Sequence, residues 1–389
     1  MALGLADGGV RNFVPATFPI FHREMGASLE QMGKTQFLFY LSSLIFAVVG
    51  GSLLARAGLR RSAVVALTLA AISLLLIGHT HNFTFVLLGT GLLGLAIVAL
   101  VVIVSSIISR HFQARRQSVF LLTGLSDAGG SMLGPAILGW WIVHSEHWHL
   151  TWRSGYSAGA AVMGILLLWA LSVRFENLEE DRPSADSRLR NWLSTREVLR
   201  DSAFYTAVML CFCHGLAQAG MVSFVGQLYV KKLHVDAAHA AYLLSIEAIG
   251  ILAGRLIFGA LLARWRIAEL VVIALCAAAE AAAFLATTLS VNYGVGAAMF
   301  LVGGFFMSAI GPSLNSYLGG RLLNRVATAF ALFAGLGNVG AAVGPYLIGI
   351  VGTGFGIERG ILFAPLFAAL LSATALVRHF REKQLSFVI

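Results

Sequence analysis

The first residues of this chain able to do chemistry are Asp7 and Arg11, in LADGGVRNFVP. A spacing of four puts an acid and a base one helical turn apart, close enough to pair. One reading makes Asp7 a proton carrier or substrate anchor, with Arg11 tuning it or gripping an anion. The other makes them a neutralised couple whose only effect is to make burial tolerable. More ionisable groups stand alone in apolar stretches: Asp127 in TGLSDAGGSMLGP, Glu247 in LLSIEAIGILAGR with Arg255 two turns on, and Glu280 in CAAAEAAAF. Asp127 reads as a second proton site or as an acid bonded to a neighbouring helix. Glu247 reads as a coupling carboxylate or as the structural partner of Arg255. Histidine as a residue type titrates near neutral pH, so His214, with Gln218 one turn on, reads as a proton relay. The proton-coupling candidates are therefore Asp7, Asp127, Glu247 and His214.

Uncharged hydrogen bonders form a second group. FFMSAIGPSLNSY carries Ser308, Asn315 and Tyr317 around Pro312, and Asn12 and Asn338 add amides. With Arg11 and Gln218 they are candidate ligands for a small polar solute, which needs polar edges beside an apolar face. Each serves equally well as an interhelical hydrogen bonder. Asp7 with His214 gives two metal ligands, short of a site, so no metal and no cofactor are expected. The histidines of HSEHWHL, from His144, read as a solvated loop.

What must position these groups is a set of membrane helices. Hydrophobic residues make up 58% of the 389, charged residues 12%, and mean hydropathy is +0.83. Soluble domains carry roughly 25% charge. Cys211, Cys213 and Cys276 lie in apolar runs, so they read as small buried hydrophobes. No cleavable signal is expected, because Asp7 and Arg11 interrupt the first apolar stretch. A bilayer core about 30 Å thick takes roughly 20 apolar residues per helix. Twelve spans fit: 2–21, 32–55, 62–79, 83–108, 115–143 and 155–174, then 203–228, 238–263, 267–290, 293–318, 326–352 and 358–379. The expected organisation is a six-helix bundle over 1–174, a linker over 175–202, a second bundle over 203–380 and a tail over 381–389. Within the linker, RLRNWLSTREVLR reads as a short surface helix or as plain solvated chain.

The net charge of +9 follows topology and does not indicate a nucleic-acid partner. With both ends cytoplasmic, thirteen Lys and Arg residues fall at inner loops and the tail, against five at outer loops. The excess of positive residues inside then places the termini and the linker in the cytoplasm.

The halves repeat each other. GSLLARAG from Gly51 recurs as GALLARWR from Gly259, 208 positions on. GLADGG from Gly4 recurs as GLAQAG from Gly215, at 211, which matches Asp7 with Gln218. GSMLGPAILG from Gly130 recurs as GAAVGPYLIG from Gly340, at 210. Small residues at Gly130, Gly134, Gly340 and Gly344 permit close helix approach, and Pro135 and Pro345 each remove a helical hydrogen bond. Parallel repeats of this kind put a substrate site between the halves, near the midplane.

Over essentially its whole length the chain resembles the major facilitator superfamily of transporters. GSLLARAGLRR stands where that family carries Gly-x-Leu-Ala-Asp-Arg-x-Gly-Arg-Arg, with Gly51, Leu53, Arg56, Gly58, Arg60 and Arg61 matching. The acidic position is Ala55 here and Ala263 in the second copy, so the cytoplasmic latch which that acid implies is in doubt. The resemblance implies an all-α integral membrane fold of twelve helices in two pseudo-symmetric six-helix bundles. Asp7 ahead of Pro15, with MSAIGPSLNS, is similar to the fucose-permease group of sugar-proton symporters. The fourth span, GLLGLAIVALVVIVSS, lacks the glutamate of that group, so only Asp7 carries over.

The expected protein is a monomeric secondary transporter of the bacterial inner membrane. Its partners are the bilayer, protons and a sugar or organic acid, taken up by proton symport through alternating access. A proton-coupled drug or metabolite exporter is the alternative, ahead of a divalent-metal transporter or a non-transporting sensor. A membrane enzyme fits worst, since no nucleophile elbow, zinc motif or phosphate loop is present.

Overall fold

The structure, a computed structural model, describes residues 2–111, 116–172, 198–264, 267–321 and 326–388. Most of the linker, including most of RLRNWLSTREVLR, lies outside these residues, as do Arg115, Arg266 and Arg325. Everything regular among the described residues is helical. In the first half the helices are α1 (Ala2–Arg11), α2 (Phe13–Ala16), α3 (Phe18–Met25), α4 (Leu29–Ala57), α5 (Leu59–His79), α6 (Phe83–His111), α7 (Arg116–His144) and α8 (Arg153–Ser172). The second half holds α9 (Ser202–Leu233), α10 (Ala237–Arg264), α11 (Glu269–Leu289), α12 (Tyr293–Met307), α13 (Ile310–Arg321), α14 (Val326–Phe355), α15 (Ile357–Gly360) and α16 (Phe363–Val388). Nine helical stretches among the described residues are long and apolar enough to cross a membrane. The helical stretches 2–25, 29–57 and 116–144 stand where the first, second and fifth spans are expected.

The first span is broken, and proline is the reason. Pro15 has no N–H for the Arg11 carbonyl and Pro19 none for that of Pro15, so the helix divides at Asn12 and again at Thr17. Thr17 closes the second break, its hydroxyl meeting the Phe13 and Val14 carbonyls at 3.0 Å and the Tyr156 hydroxyl at 2.7 Å. The tenth span divides in the same way, between α12 and α13, where Pro312 leaves the Ser308 carbonyl without its helical donor.

Glycine sets the packing within each half. A Cβ on Gly134 would lie 2.5 Å from the Gly9 Cα, and one on Gly344 would lie 2.9 Å from the Leu216 Cα. Gly130 faces the Leu5 carbonyl and Gly340 that of Phe212, closer than any side chain allows. These contacts also fix which residues correspond between halves. A Cβ on Gly8 would sit 2.8 Å from the Ser131 nitrogen, and one on Gly215 would sit 2.6 Å from that of Ala341. Gly8 therefore matches Gly215, an offset of 207, whereas the repeated hexapeptide pairs Gly4 with Gly215 at 211. The repeat as read from the sequence is slipped by one helical turn. In the packing, the counterpart of Asp7 is His214, and that of Arg11 is Gln218.

Between the halves, α4 packs on α14 and α7 on α10. At the end expected to face outward the seal is tight. The Glu30 N–H donates to Thr353 Oγ1 at 2.9 Å, Phe37 tilts against Tyr346 at 5.4 Å, and Phe18 meets Phe224 at 5.6 Å. A Cβ on Gly33 would strike Pro345 and Tyr346. At the other end, Gly58 (φ 79, ψ 154) makes the turn from α4 to α5, and Arg60 donates to the Leu171 carbonyl at 2.7 Å, tying the turn to α8. Arg61 is exposed, while the side chains at Gly51, Ala55 and Arg56 lie outside those described. Glu280 is 0% exposed, enclosed among helices rather than facing lipid.

If backbone contact between α1 and α7 holds the first half together, Gly134→Val costs about 1–3 kcal/mol of overpacking strain. Gly164→Val, where an added Cβ meets nothing within 4 Å, leaves stability unchanged. Thermal unfolding of the two purified variants in micelles checks this, and equal melting temperatures would refute it.

Candidate functional site

The break after Arg11 puts the end of α1 against the middle of α7. There one Arg11 Nη2 donates to Asp7 Oδ2 at 3.0 Å and to Asp127 Oδ1 at 2.8 Å. The expected pair is thus a triad across two helices, and Asp127 is bonded to a neighbouring helix. Asp7 is the buried member, its side chain 8% exposed, while Arg11 is 33% and Asp127 27% exposed. Asp7 Oδ1 is enclosed without a hydrogen-bond partner. Two carboxylates share one cation, so a proton on either weakens its hold on the guanidinium and leaves the other as sole partner.

Arg11 borders two cavities. One, of about 280 Å³, lies among α1, α6 and α7 and includes Asp7, Ser105, Thr123 and Asp127 in its wall. The other, of about 80 Å³, lies between the halves, with Arg11, Asn12, Gln36, Tyr40, Gln218 and Glu247 among its lining residues. Ser131 lines the second cavity too, and Pro135 leaves the Ser131 carbonyl without its helical donor. Water needs roughly 10–15 Å³ of such space per molecule, so the central cavity suits a ligand of a few heavy atoms.

Four residues singled out from the sequence, Arg11, Asn12, Gln218 and Glu247, meet at this cavity. Others do not. His214 sits one turn from Gln218, half-buried, with Nδ1 enclosed and unbonded. Ser308 is buried outside the cavity wall, donating to the Phe305 carbonyl at 2.7 Å and packing against Gly254. The Tyr317 hydroxyl donates to Glu382 Oε1 at 2.6 Å, in a cluster with Arg321 and Arg378 at the end of α16. Asn315 and Asn338 are exposed, away from the cavity lining. Arg255 is not the partner of Glu247: it reaches across the halves to the Gly124 carbonyl at 2.8 Å. Gln36 and Tyr40 were passed over, although an amide and a phenol one turn apart in an apolar span are the signal that marks Asp7 and Arg11. Their spacing matches, but neither carries charge.

Removing Arg11 leaves Asp7 buried without its cation. Arg11→Met is therefore expected to cost about 3–5 kcal/mol, and adding Asp7→Asn to recover much of it. Denaturant unfolding of the single and double variants tests the coupling, and additive losses would exclude it.

Comparison with known proteins gives the fold a family. The family model described as Major Facilitator Superfamily matches residues 1–345. The cyanate transport protein CynX of Escherichia coli (strain K12) is 27% identical over 228 residues, covering 57% of this chain and 56% of that protein. The chain thus spans about half the length of this curated relative. Among solved structures, a point mutant of the nucleoside transporter NupG is similar at a TM-score of 0.78 and 14% identity, over 97% of both chains. The bacterial homologue of the human lysosomal transporter Spinster, inward-facing and unoccupied, is similar at 0.76 and 15%, over 97% of this chain and 95% of that one. A point mutant of the E. coli fucose:proton symporter FucP is similar at 0.64 and 18%, over 97% of both. At such identities the structures share the fold alone. The family match over most of the sequence and the shared all-helical architecture lead to one conclusion: this chain belongs to the major facilitator superfamily.

Proposed function

We propose that this membrane protein is a secondary transporter moving a small polar solute through the central cavity by alternating access, coupled to protons at Asp7 and Asp127. The observation that carries the reading is the position of Arg11, bonded to both carboxylates while lining the cavity between the halves. Protonation of one carboxylate frees part of the guanidinium for a ligand. A ligand that engages Arg11 in turn favours protonation of the acid it displaces, because such coupling is reciprocal. Proton and solute then travel together, which is symport. The charge pattern of the loops supports an inner-membrane orientation with both termini in the cytoplasm. Gln218, in the counterpart position on α9, supplies a neutral hydrogen bonder from the second half.

A small anion or organic acid fits better than a sugar. The cavity of about 80 Å³ is narrow, its nearest cation is Arg11, and a relative is a cyanate transport protein. Ser308, Asn315, Tyr317 and Asn338, expected from the sequence as ligands for a polar solute, lie elsewhere.

The test is reconstitution in liposomes enclosing a pH-sensitive dye, with cyanate, short organic acids, sugars and cationic drugs added in turn. Interior acidification on adding one solute is expected. Asp7→Asn should slow it by roughly 5- to 150-fold, the range for losing a coupling of about 1–3 kcal/mol. Alkalinisation would establish exchange and an export role instead. No pH change with any solute, from folded protein, would remove proton coupling from the reading.

A further inference from the structure

Two polar side chains are shut inside the outer seal without a partner. Gln227 is 5% exposed and Ser245 6%, and Gln227 Oε1 and Ser245 Oγ are both enclosed with no hydrogen-bond partner. Both stand on helix faces that meet the other half. On α9, Gln227 is three residues beyond Phe224, whose ring meets Phe18 of α3 at 5.6 Å, and four beyond Ser223, which lines the central cavity. Positions three and four apart share a helix face. Gln227 therefore lies one turn, about 6 Å, outward of the cavity wall. On α10, Ser245 is three residues beyond Tyr242 and two before Glu247 at the cavity. A Cβ on Gly139 of α7 would lie 2.7 Å from the Tyr242 ring, so this face of α10 is pressed on the first half.

Packing does not require either group. Ser223 and Thr90 donate to carbonyls four residues back at 2.6 and 2.7 Å, the usual resort of a hydroxyl in a helix, whereas Ser245 has no such bond. The first half also leaves polar positions of the second half apolar. Helices α5 and α11 are both 21 residues long and start 210 positions apart, which sets Glu280 where the first half has Ala70. Gly94 abuts the Phe39 carbonyl as Gly304 abuts that of Glu247, so Glu247 stands at the place of Phe39, an offset of 208. At that offset Ser245 takes the place of Phe37, whose ring closes on Tyr346 across the halves. One seal is made with an aromatic ring and its counterpart with an unpaired hydroxyl.

We infer that Gln227 and Ser245 line the solute's outer passage and, by going unpaired when it shuts, keep the seal reversible. Under the alternating-access reading above, on which this rests, the two groups have opposite surroundings in the two states. With the outer end closed they are dry and unbonded. When the halves part there, α9 leaves α3, α10 leaves α7, and water reaches both side chains. An entering solute then meets an amide N–H and a hydroxyl O–H just ahead of the cavity, donors that suit a small anion or organic acid. Hydrogen bonds made only in the open state bias the equilibrium toward it, because only interactions that differ between two states shift their populations.

Spin labels on Thr84→Cys and Val291→Cys, exposed at the outer ends of the two halves, report the seal in the full-length protein in lipid discs, with Cys211, Cys213 and Cys276 replaced by alanine. Two separations are expected, sealed and open. Gln227→Met and Ser245→Ala should each raise the sealed-to-open ratio roughly 5- to 150-fold, which is about 1–3 kcal/mol at about 1.4 kcal/mol per tenfold. Thr353→Val, which loses the bond from the Glu30 N–H, should lower it. A membrane-impermeant thiol reagent added to intact expressing cells should react with Gln227→Cys and Ser245→Cys, and faster when Thr353→Val is added. If the ratio stays put or falls in Gln227→Met and Ser245→Ala, the two groups are inert or structural and the inference is overturned, with alternating access left standing. Two separations without thiol reaction at either position would overturn the passage in the same way. A single separation in every variant, Thr353→Val included, would remove alternating access and this inference with it.

Discussion

Close contact between backbones is the constraint on which the rest of the molecule depends. Lipid offers no hydrophobic drive for helices to associate, so their approach distance decides how firmly they hold. Gly130 and Gly134 let α7 lie directly against the backbone of α1. With side chains at these positions the helices would stand further apart, and Asp127 would not come within 2.8 Å of Arg11. The triad is therefore a product of the glycines: the same small surface that packs the helices delivers the second carboxylate.

Proline works with glycine here. Pro15 breaks the first span just beyond Arg11, and Pro135 frees the Ser131 carbonyl across from it, so polar backbone opens where the cavity needs it. Irregular backbone is tolerated at this depth because it faces a cavity and protein rather than lipid. The tight seal at one end of the halves, through Gly33, Phe37 and Thr353, leaves the triad as the boundary between the central cavity and the groove beside α6.

The two halves share a scaffold and differ in charge. Where the first half sets Asp7 and Arg11, the second sets His214 and Gln218; where the second sets Glu247 and Glu280, the first sets Phe39 and Ala70. Each half thus carries acids at positions where its partner has none. In the proposed alternating-access cycle, such asymmetry gives the two sides different responses to a proton.

Much of this was legible in the residues alone. Apolar length and the sparseness of charge determined a helical membrane protein, the repeated phrases determined two related halves, and isolated ionisable residues pointed to Asp7, Arg11, Asp127 and Glu247. Those signals are local, and the cost of a charge in lipid makes them hard to mistake. Partnership was decided only by the tertiary structure. GLADGG and GLAQAG match by letters at 211, yet packing sets the helices at 207, because a glycine face repeats every turn and letter identity alone does not distinguish one turn from the next. Ser308 and Tyr317 read as ligands until their bonds to Phe305 and Glu382 are seen. Arg255 reads as the partner of Glu247 until it is found on Gly124. Spacing along a chain says which groups share a helix face; which groups meet across helices depends on rotation and depth, and those are set by the fit of small residues between neighbours.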